Sequence, residues 1–325
     1  MEVLASEFED ALKRIQVDAQ PAQKTQQEVR TVLEGDNQLQ KLGVDTILIG
    51  SYSRNTGVHP AKDVDIFAKL PQLNTSTSPN EVFELVRNAL TKHYGSKAKP
   101  QARSVKIDFP DEFCADVVPA VRFGSQWAIP AAKPELWANA EKRWILTDPE
   151  KLGQLTVARN STPTVGSRGA YVPVVKLMRQ TRRHHLKKAK PGGLYVEILT
   201  YWAFEGMATP GSTYAELFAF TLRSAAAQLG RGVVTDPALD SIYSPAPSVV
   251  ELAAAAAKFA ELASKAEAAL RLDRCQAAVN WRYILGDNPD GPCFRLPDGC
   301  DEFGRVVPAV TAVASRGPNE ARPFA

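Results

Sequence analysis

The run Ile47-Leu48-Ile49-Gly50-Ser51-Tyr52-Ser53-Arg54-Asn55-Thr56-Gly57-Val58-His59-Pro60-Ala61-Lys62-Asp63-Val64-Asp65-Ile66-Phe67-Ala68-Lys69-Leu70 decides how the rest of the chain is read. An apolar stretch closes at Gly50-Ser51, a polar turn follows, and a second apolar stretch carries Asp63 and Asp65. Side chains two apart in a strand share a face, so both carboxylates project together while Val64 and Ile66 face the other way. Adjacent carboxylates repel unless a cation sits between them. Hard oxygen ligands with positions left open for phosphate are the usual way of holding Mg²⁺. Gly50 lets a ligand approach the backbone, and Ser51 adds a hydroxyl beside exposed amides. A lone Asp-x-Asp is commonly a solvated strand end; its conjunction with Gly-Ser points to a phosphate-and-metal site.

A third carboxylate lies further on. Ser104–Phe109 and Phe113–Pro119 read as two strands joined at Pro110-Asp111-Glu112, an antiparallel hairpin in a mixed sheet. Asp116 is a lone charge in the second, otherwise apolar strand. Burying it unpaired costs several kcal/mol or raises its pKa, so it calls for a metal, a basic partner or a catalytic task. Asp108 competes for the role, but its place beside the turn suits solvation better.

Composition narrows the class. A length of 325 residues allows one large domain or two ordinary ones. With 44% apolar and 23% charged residues, a soluble globular protein is expected. A net charge of +3 is too small to mark a nucleic-acid binder by itself. The cysteines (Cys114, Cys275, Cys293, Cys300) lack the paired spacing of a zinc site and are expected to be reduced. The acidic, amphipathic start is unlike a signal peptide, and no run approaches the about 18 apolar residues of a membrane span. A cytoplasmic protein without membrane contact is expected.

Helices are expected over 2–34, broken near Pro21, and from Pro79 to about His93. Strand and helix alternate from 40 to 120, and after about 150 the pattern is helical. This divides the chain into 1–150, a core with N-terminal helices, and 151–325, a helical lobe with an irregular Pro- and Gly-rich tail. A long helix begins near Ala170 and runs through the basic stretch Arg179–Lys190 to Pro191-Gly192-Gly193. Lys176 on it either snorkels to solvent or aims its ammonium at a triphosphate. The basic stretch is either a solvated face or an attractor of nucleotide phosphates or of an acidic partner. Glu197 on the next helix reads as a structural ion-pair partner, and Tyr171 and Tyr195 as core or as base-stacking residues.

These residues resemble the nucleotidyltransferase superfamily that includes DNA polymerase beta. Within it the chain is similar to the bacterial cGAS/DncV-like nucleotidyltransferases (CD-NTases), relatives of oligoadenylate synthase. The resemblance rests on Gly50-Ser51-Tyr52-Ser53-Arg54-Asn55-Thr56 through Asp65, on Ala115–Ala120, on Val175–Arg179 before Leu194–Glu197, and on Trp281–Gly286. It departs from the family at His59-Pro60-Ala61-Lys62, where Lys62 alters the charge before the first aspartate. The resemblance implies an α+β fold, a polymerase-beta-like core with a mixed sheet packed against a C-terminal helical lobe. It implies an enzyme that joins NTPs into a cyclic oligonucleotide signal in anti-phage defence. Asp63, Asp65 and Asp116 would be catalytic and hold Mg²⁺ (or Mn²⁺), while Gly50, Ser51 and Lys176 would bind the nucleotide's phosphates. Asn160, in the loop before the Lys176 helix, would meet the base or merely cap. An activating partner or phage-derived trigger and a downstream effector are implied, with no nucleic acid required. A linear-product, tRNA or protein nucleotidyltransferase is the alternative within the superfamily, and an inactive nucleotide-binding relative the alternative outside catalysis.

Overall fold

The computed structural model describes residues 4–61, 63–109, 113–208, 211–243 and 246–307. Lys62, the turn Pro110–Glu112 and the last residues of the expected tail lie outside that set. In chain order, α1 (Ala5–Arg14), α2 (Gln20–Glu34) and α3 (Asn37–Lys41) lead to β1 (Asp45–Leu48), the single turn α4 (Gly50–Ser53) and β2 (Asp63–Asn74). Then come α5 (Pro79–Tyr94), β3 (Ala98–Pro100), β4 (Val105–Asp108), β5 (Cys114–Phe123), β6 (Gln126–Pro130) and β7 (Trp144–Thr147). Helices follow: α6 (Pro149–Asn160), α7 (Tyr171–Leu186), α8 (Gly193–Glu205), α9 (Tyr214–Gly230), α10 (Val249–Ala269) and α11 (Arg274–Leu285). The fold is α+β with a mixed sheet.

The sheet runs β1-β2-β5-β4-β3, with β6 and β7 added beyond β5. The β2–β5 pair is parallel and the others are antiparallel. A parallel pair needs a crossover, and the chain supplies it through α5, β3 and β4. Strand alternation then sorts the side chains. Val64, Ile66, Ala68 and Leu70 of β2 and Ala115 and Val117 of β5 pack with α2 and α5 residues in one core. The opposite face carries Phe67, Val118, Ala120, Trp127 and Ile129 in a smaller apolar cluster, and Asp63, Asp65 and Asp116 belong to this second face by the same alternation.

A third core joins α7 to α11 and also takes in Phe8, Ala11 and Ile15 of the N-terminal segment. Phe8 lies edge-on to Trp281 at 5.1 Å and to Phe294 at 5.2 Å. Dividing the chain at 150 groups α1 with the sheet; its buried face packs with the C-terminal helices instead. Capping explains several helix starts. Asp148 accepts from the Lys151 N–H with Pro149 at the first position. Thr213/Glu216 and Ser248/Glu251 form capping boxes before α9 and α10.

Three expectations are corrected. Helix α7 stops at Leu186, short of Lys190, because Lys187 takes a positive φ of 52°. The basic stretch is not a free surface: Arg182 donates to the Pro191 and Ala189 carbonyls and Arg183 to that of His59 at 2.6 Å. These arginines close turns, which leaves Lys187, Lys188 and Lys190 as the exposed charges. Cys275 and Cys300 form a disulfide, Cα–Cα 5.2 Å, rather than staying reduced, because the segment after α11 folds back on its start. Cys114 and Cys293 are free.

Truncating Phe8 to Ala should cost about 3–5 kcal/mol in urea unfolding, since the ring fills the junction between α1 and α11. A loss under about 1 kcal/mol would show that α1 is not docked there.

Candidate active site

Register brings the carboxylates together. Asp63 lies opposite Cys114 and Asp65 opposite Asp116 across the parallel pair, and Lys106 faces Asp116 from β4. Burial raises the Asp65 pKa from 3.8 to about 6, helped by Asp116 and Asp63 and opposed by Arg54 and Arg179. Burial also raises Asp116, with Asp63 adding to it and Lys106 and a Ser104 hydroxyl at 3.5 Å opposing. The competing Asp108 is paired with Lys99 at 2.7 Å, which with Lys106 outweighs its slight desolvation and holds its carboxyl below the usual range.

Gly50 fits this cluster. The Ile49 N–H donates to the Asp65 carbonyl at 2.9 Å, which places the α4 turn against β2. Gly50 has a φ of +70°, and a Cβ there would lie 2.2 Å from Asp65 Oδ2. Only glycine meets both demands. The Ser51 carbonyl accepts from the Thr56 and Gly57 N–H groups at 2.9 and 3.2 Å, closing the turn. Tyr52 donates to the Ala61 carbonyl at 2.8 Å, tying the turn to the residues before Asp63.

Behind the carboxylates lies a buried ionic cluster that sequence reasoning only partly caught. Arg54 Nε donates to Glu197 Oε1 at 2.5 Å and its Nη2 to Oε2 at 3.3 Å. Thr56 Oγ1 donates to Oε2 at 3.0 Å, and Arg179 Nη1 at 3.4 Å. Burial pushes the Glu197 carboxyl up, but Arg54, Arg179 and Thr56 more than reverse this and hold it below the usual range. Glu197 was legible as an ion-pair residue, being a lone acid on an apolar helix. Arg54, inside the turn, and Arg179, inside a basic run, carried no separate signal.

Lys176 and Asn160 lie elsewhere. They line a cavity of about 580 Å³ with Lys13, Asn55, Arg168 and Tyr214. Lys176 Nζ donates to Asn55 Oδ1 at 3.0 Å, and burial lowers its pKa. Asn160 ends α6, rather than lying in a loop, and its Oδ1 accepts from the Val172 N–H at 2.9 Å, capping α7. Tyr171 and Tyr195 are core residues, 1% and 2% exposed. The structure thus joins Gly50 to the three aspartates, and Lys176 to Asn160, as two groups linked through Arg54-Asn55.

Among the described residues no three His, Cys, Asp or Glu side chains close into a ready metal cage. The carboxylates nevertheless suit a hard divalent cation. They are held close enough to raise Asp65 and Asp116, and a nucleotide's phosphates would complete the oxygen shell.

Residues 1–160 match the family model of the Second Messenger Oligonucleotide or Dinucleotide Synthetase (SMODS) domain. A cyclic AMP-AMP-AMP synthase from an Acinetobacter species is 29% identical over 279 residues, 80% of this chain and 76% of that protein. The CD-NTase CdnG of Bradyrhizobium diazoefficiens, solved in complex with GTP, shares the fold at a TM-score of 0.67 and 17% identity, over 87% of this chain and 97% of CdnG. The chain is thus similar in sequence to a second-messenger synthetase domain over its first 160 residues, and it shares its fold with the CD-NTases. This CD-NTase-like fold also matches E. coli CdnC in its complex with a HORMA protein, at a TM-score of 0.67 and 14% identity, covering 90% and 98% of the two chains.

Gly50→Ala should abolish most turnover while the fold survives. Displacing Asp65 by on the order of 1 Å costs roughly 100-fold in rate, read as NTP consumption. Asp65→Asn should stabilise the metal-free protein. A carboxyl raised from 3.8 to about 6 makes the fold lose stability as pH rises through that window, on the order of 3 kcal/mol by pH 8. The gain in melting temperature should therefore be large at pH 8 and absent at pH 4.

Proposed function

We propose that the chain joins NTPs into a cyclic oligonucleotide second messenger, releasing pyrophosphate, as a signal in anti-phage defence. The observation that carries this is the placement of Asp63, Asp65 and Asp116 on one sheet face with Gly50 in contact with Asp65. Each transfer bonds a ribose hydroxyl oxygen to an α-phosphorus and breaks the bond from that phosphorus to the pyrophosphate. A last, internal transfer closes the ring.

Asp63, Asp65 and Asp116 would hold Mg²⁺ or Mn²⁺, which would supply charge neutralisation and acidify the attacking hydroxyl. Asp116, raised by burial and by Asp63, is placed to take the hydroxyl proton on a carboxylate oxygen. Gly50 and Ser51 bind phosphate oxygens through the α4 turn, whose backbone is anchored on Asp65. Lys176 reaches the triphosphate from α7, and Asn160 meets the base at the edge of the cavity the two share. An NTP bound between them restrains the cleft against water. Among the described residues no helix is long and apolar enough to cross a membrane, in keeping with work in the cytoplasm, where NTPs are plentiful. The HORMA complex of CdnC makes a protein activator or a phage-derived trigger the reasonable regulator, and a downstream effector would sense the product.

Incubation with NTPs and Mg²⁺ or Mn²⁺, followed by phosphatase and mass spectrometry, tests this. The Acinetobacter relative makes ATP alone the first substrate to try. A small phosphatase-resistant product, absent with Asp63→Ala plus Asp65→Ala, is expected. Product that forms only when RNA or a protein acceptor is added would favour a polymer-modifying enzyme instead.

A further inference from the structure

The segment after α11 folds back across the molecule and ends at a covalent bond. Gly286 turns it with a φ of +59°, where a side chain would collide with the His184 ring of α7. A short antiparallel hairpin, Asp287–Asn288 with Gly291–Pro292, follows. Gln180 Nε2 of α7 donates to the Leu285 and Asp287 carbonyls at 3.0 and 3.1 Å. Cys293 and Phe294 are buried, Phe294 against Phe8. The segment then closes on the first turn of α11 through Cys275–Cys300, which are 25 residues apart in sequence.

This strap holds the turn that leads to Asp63. Asp290 Oδ2 lies 3.1 Å from His59 Nε2, and Asn288 Nδ2 donates to the Arg14 carbonyl at 3.1 Å. The His59 N–H donates to the next carbonyl, that of Ile15, at 2.9 Å. Val58 is buried in the same core as Phe8 and Phe294. The strap, the end of α1 and the His59 turn thus form one stack, and the Tyr52 hydroxyl on the Ala61 carbonyl carries it on to the Gly50 turn. The two bonded cysteines differ in access: Cys275 is buried and Cys300 only half-buried, so a thiol can reach Cys300. Disulfides in a reducing cytoplasm are usually transient and redox-sensing.

We propose that Cys275–Cys300 is a redox-sensitive lock. Closed, it holds the strap against the His59 turn and supports nucleotidyl transfer; opened by a dithiol, it loosens the strap and lowers turnover. A thiolate of the dithiol attacks Cys300 Sγ, the S–S bond breaks, and Cys275 leaves with the electron pair and takes a proton. The second thiolate of the dithiol then attacks the mixed disulfide, Cys300 leaves and is protonated, and the donor departs as its own disulfide. Two electrons and two protons have then passed to the protein. With the loop open, the strap has more freedom to lose when it docks. The inference rests on the cytoplasmic nucleotidyltransferase reading for its compartment and its activity readout, and on the strap's contacts for the rest.

Hydrogen exchange and NTP consumption in Mg²⁺, on the full chain oxidised with glutathione disulfide or reduced with dithiothreitol, test it. Alkylation after denaturation should count two thiols in the oxidised chain, Cys114 and Cys293, and all four cysteines in the reduced one. On reduction, the peptides holding His59 and Asn288 should exchange about tenfold faster. NTP consumption should fall at least about twofold, and reoxidation should restore both. Cys275→Ala plus Cys300→Ala keeps Phe294 in the core, and it should match the reduced wild type and respond to neither reagent. Four thiols after oxidation would overturn the proposal. So would His59 exchange, or measurable turnover, that differs less than about twofold between the two forms. Faster exchange on reduction with no NTP consumption in either form would instead contradict the nucleotidyltransferase reading and leave the lock on the strap standing.

Discussion

Repulsion among three carboxylates on one sheet face is the constraint to which the surrounding structure answers. Asp63 and Asp65 are placed by strand alternation, and Asp116 by the parallel register of β2 with β5. Burial and mutual charge raise Asp65 and Asp116. A fold built only for stability would not keep them. It keeps them with Gly50 pressed on one side, a position that no larger residue can take, and with two arginines beyond.

Those arginines need an anchor of their own, and Glu197 provides it. Removing one partner of a buried ion pair typically costs 3–5 kcal/mol, so the cluster is also a structural tie. It joins the turn after α4 to α7 and α8, and thus the carboxylate-bearing half to the helical half. The same carboxylate that holds Arg54 and Thr56 of this turn also holds Arg179 of α7. One carboxylate therefore ties the turn after α4 to both helices.

Much of this was legible in the sequence, for physical reasons. The i, i+2 spacing of Asp63 and Asp65 and the lone charge of Asp116 in an apolar strand are local signals with few alternative meanings. Gly50 was legible as a close-approach residue, although not that the approaching group is Asp65 itself. What failed was long-range. The basic run from Arg179 looked like a continuous charged face, yet Arg182 and Arg183 are turned inward onto carbonyls brought near by turns. The pairing of Cys275 with Cys300 depends on how the segment after α11 folds back, which spacing does not encode. Asn160 and Lys176 stand out in the sequence by their chemistry alone, and their cavity is formed partly by Lys13 of the N-terminal segment, a contact that no local pattern reveals.

Manganese binding followed by electron paramagnetic resonance tests the carboxylate site most directly. The wild type should bind Mn²⁺, more tightly when a non-hydrolysable NTP is present, and Asp65→Asn should lose that binding with the fold intact. Mn²⁺ affinity that is the same in Asp65→Asn and wild type, with and without nucleotide, would contradict the reading of the three aspartates as a metal-and-phosphate site.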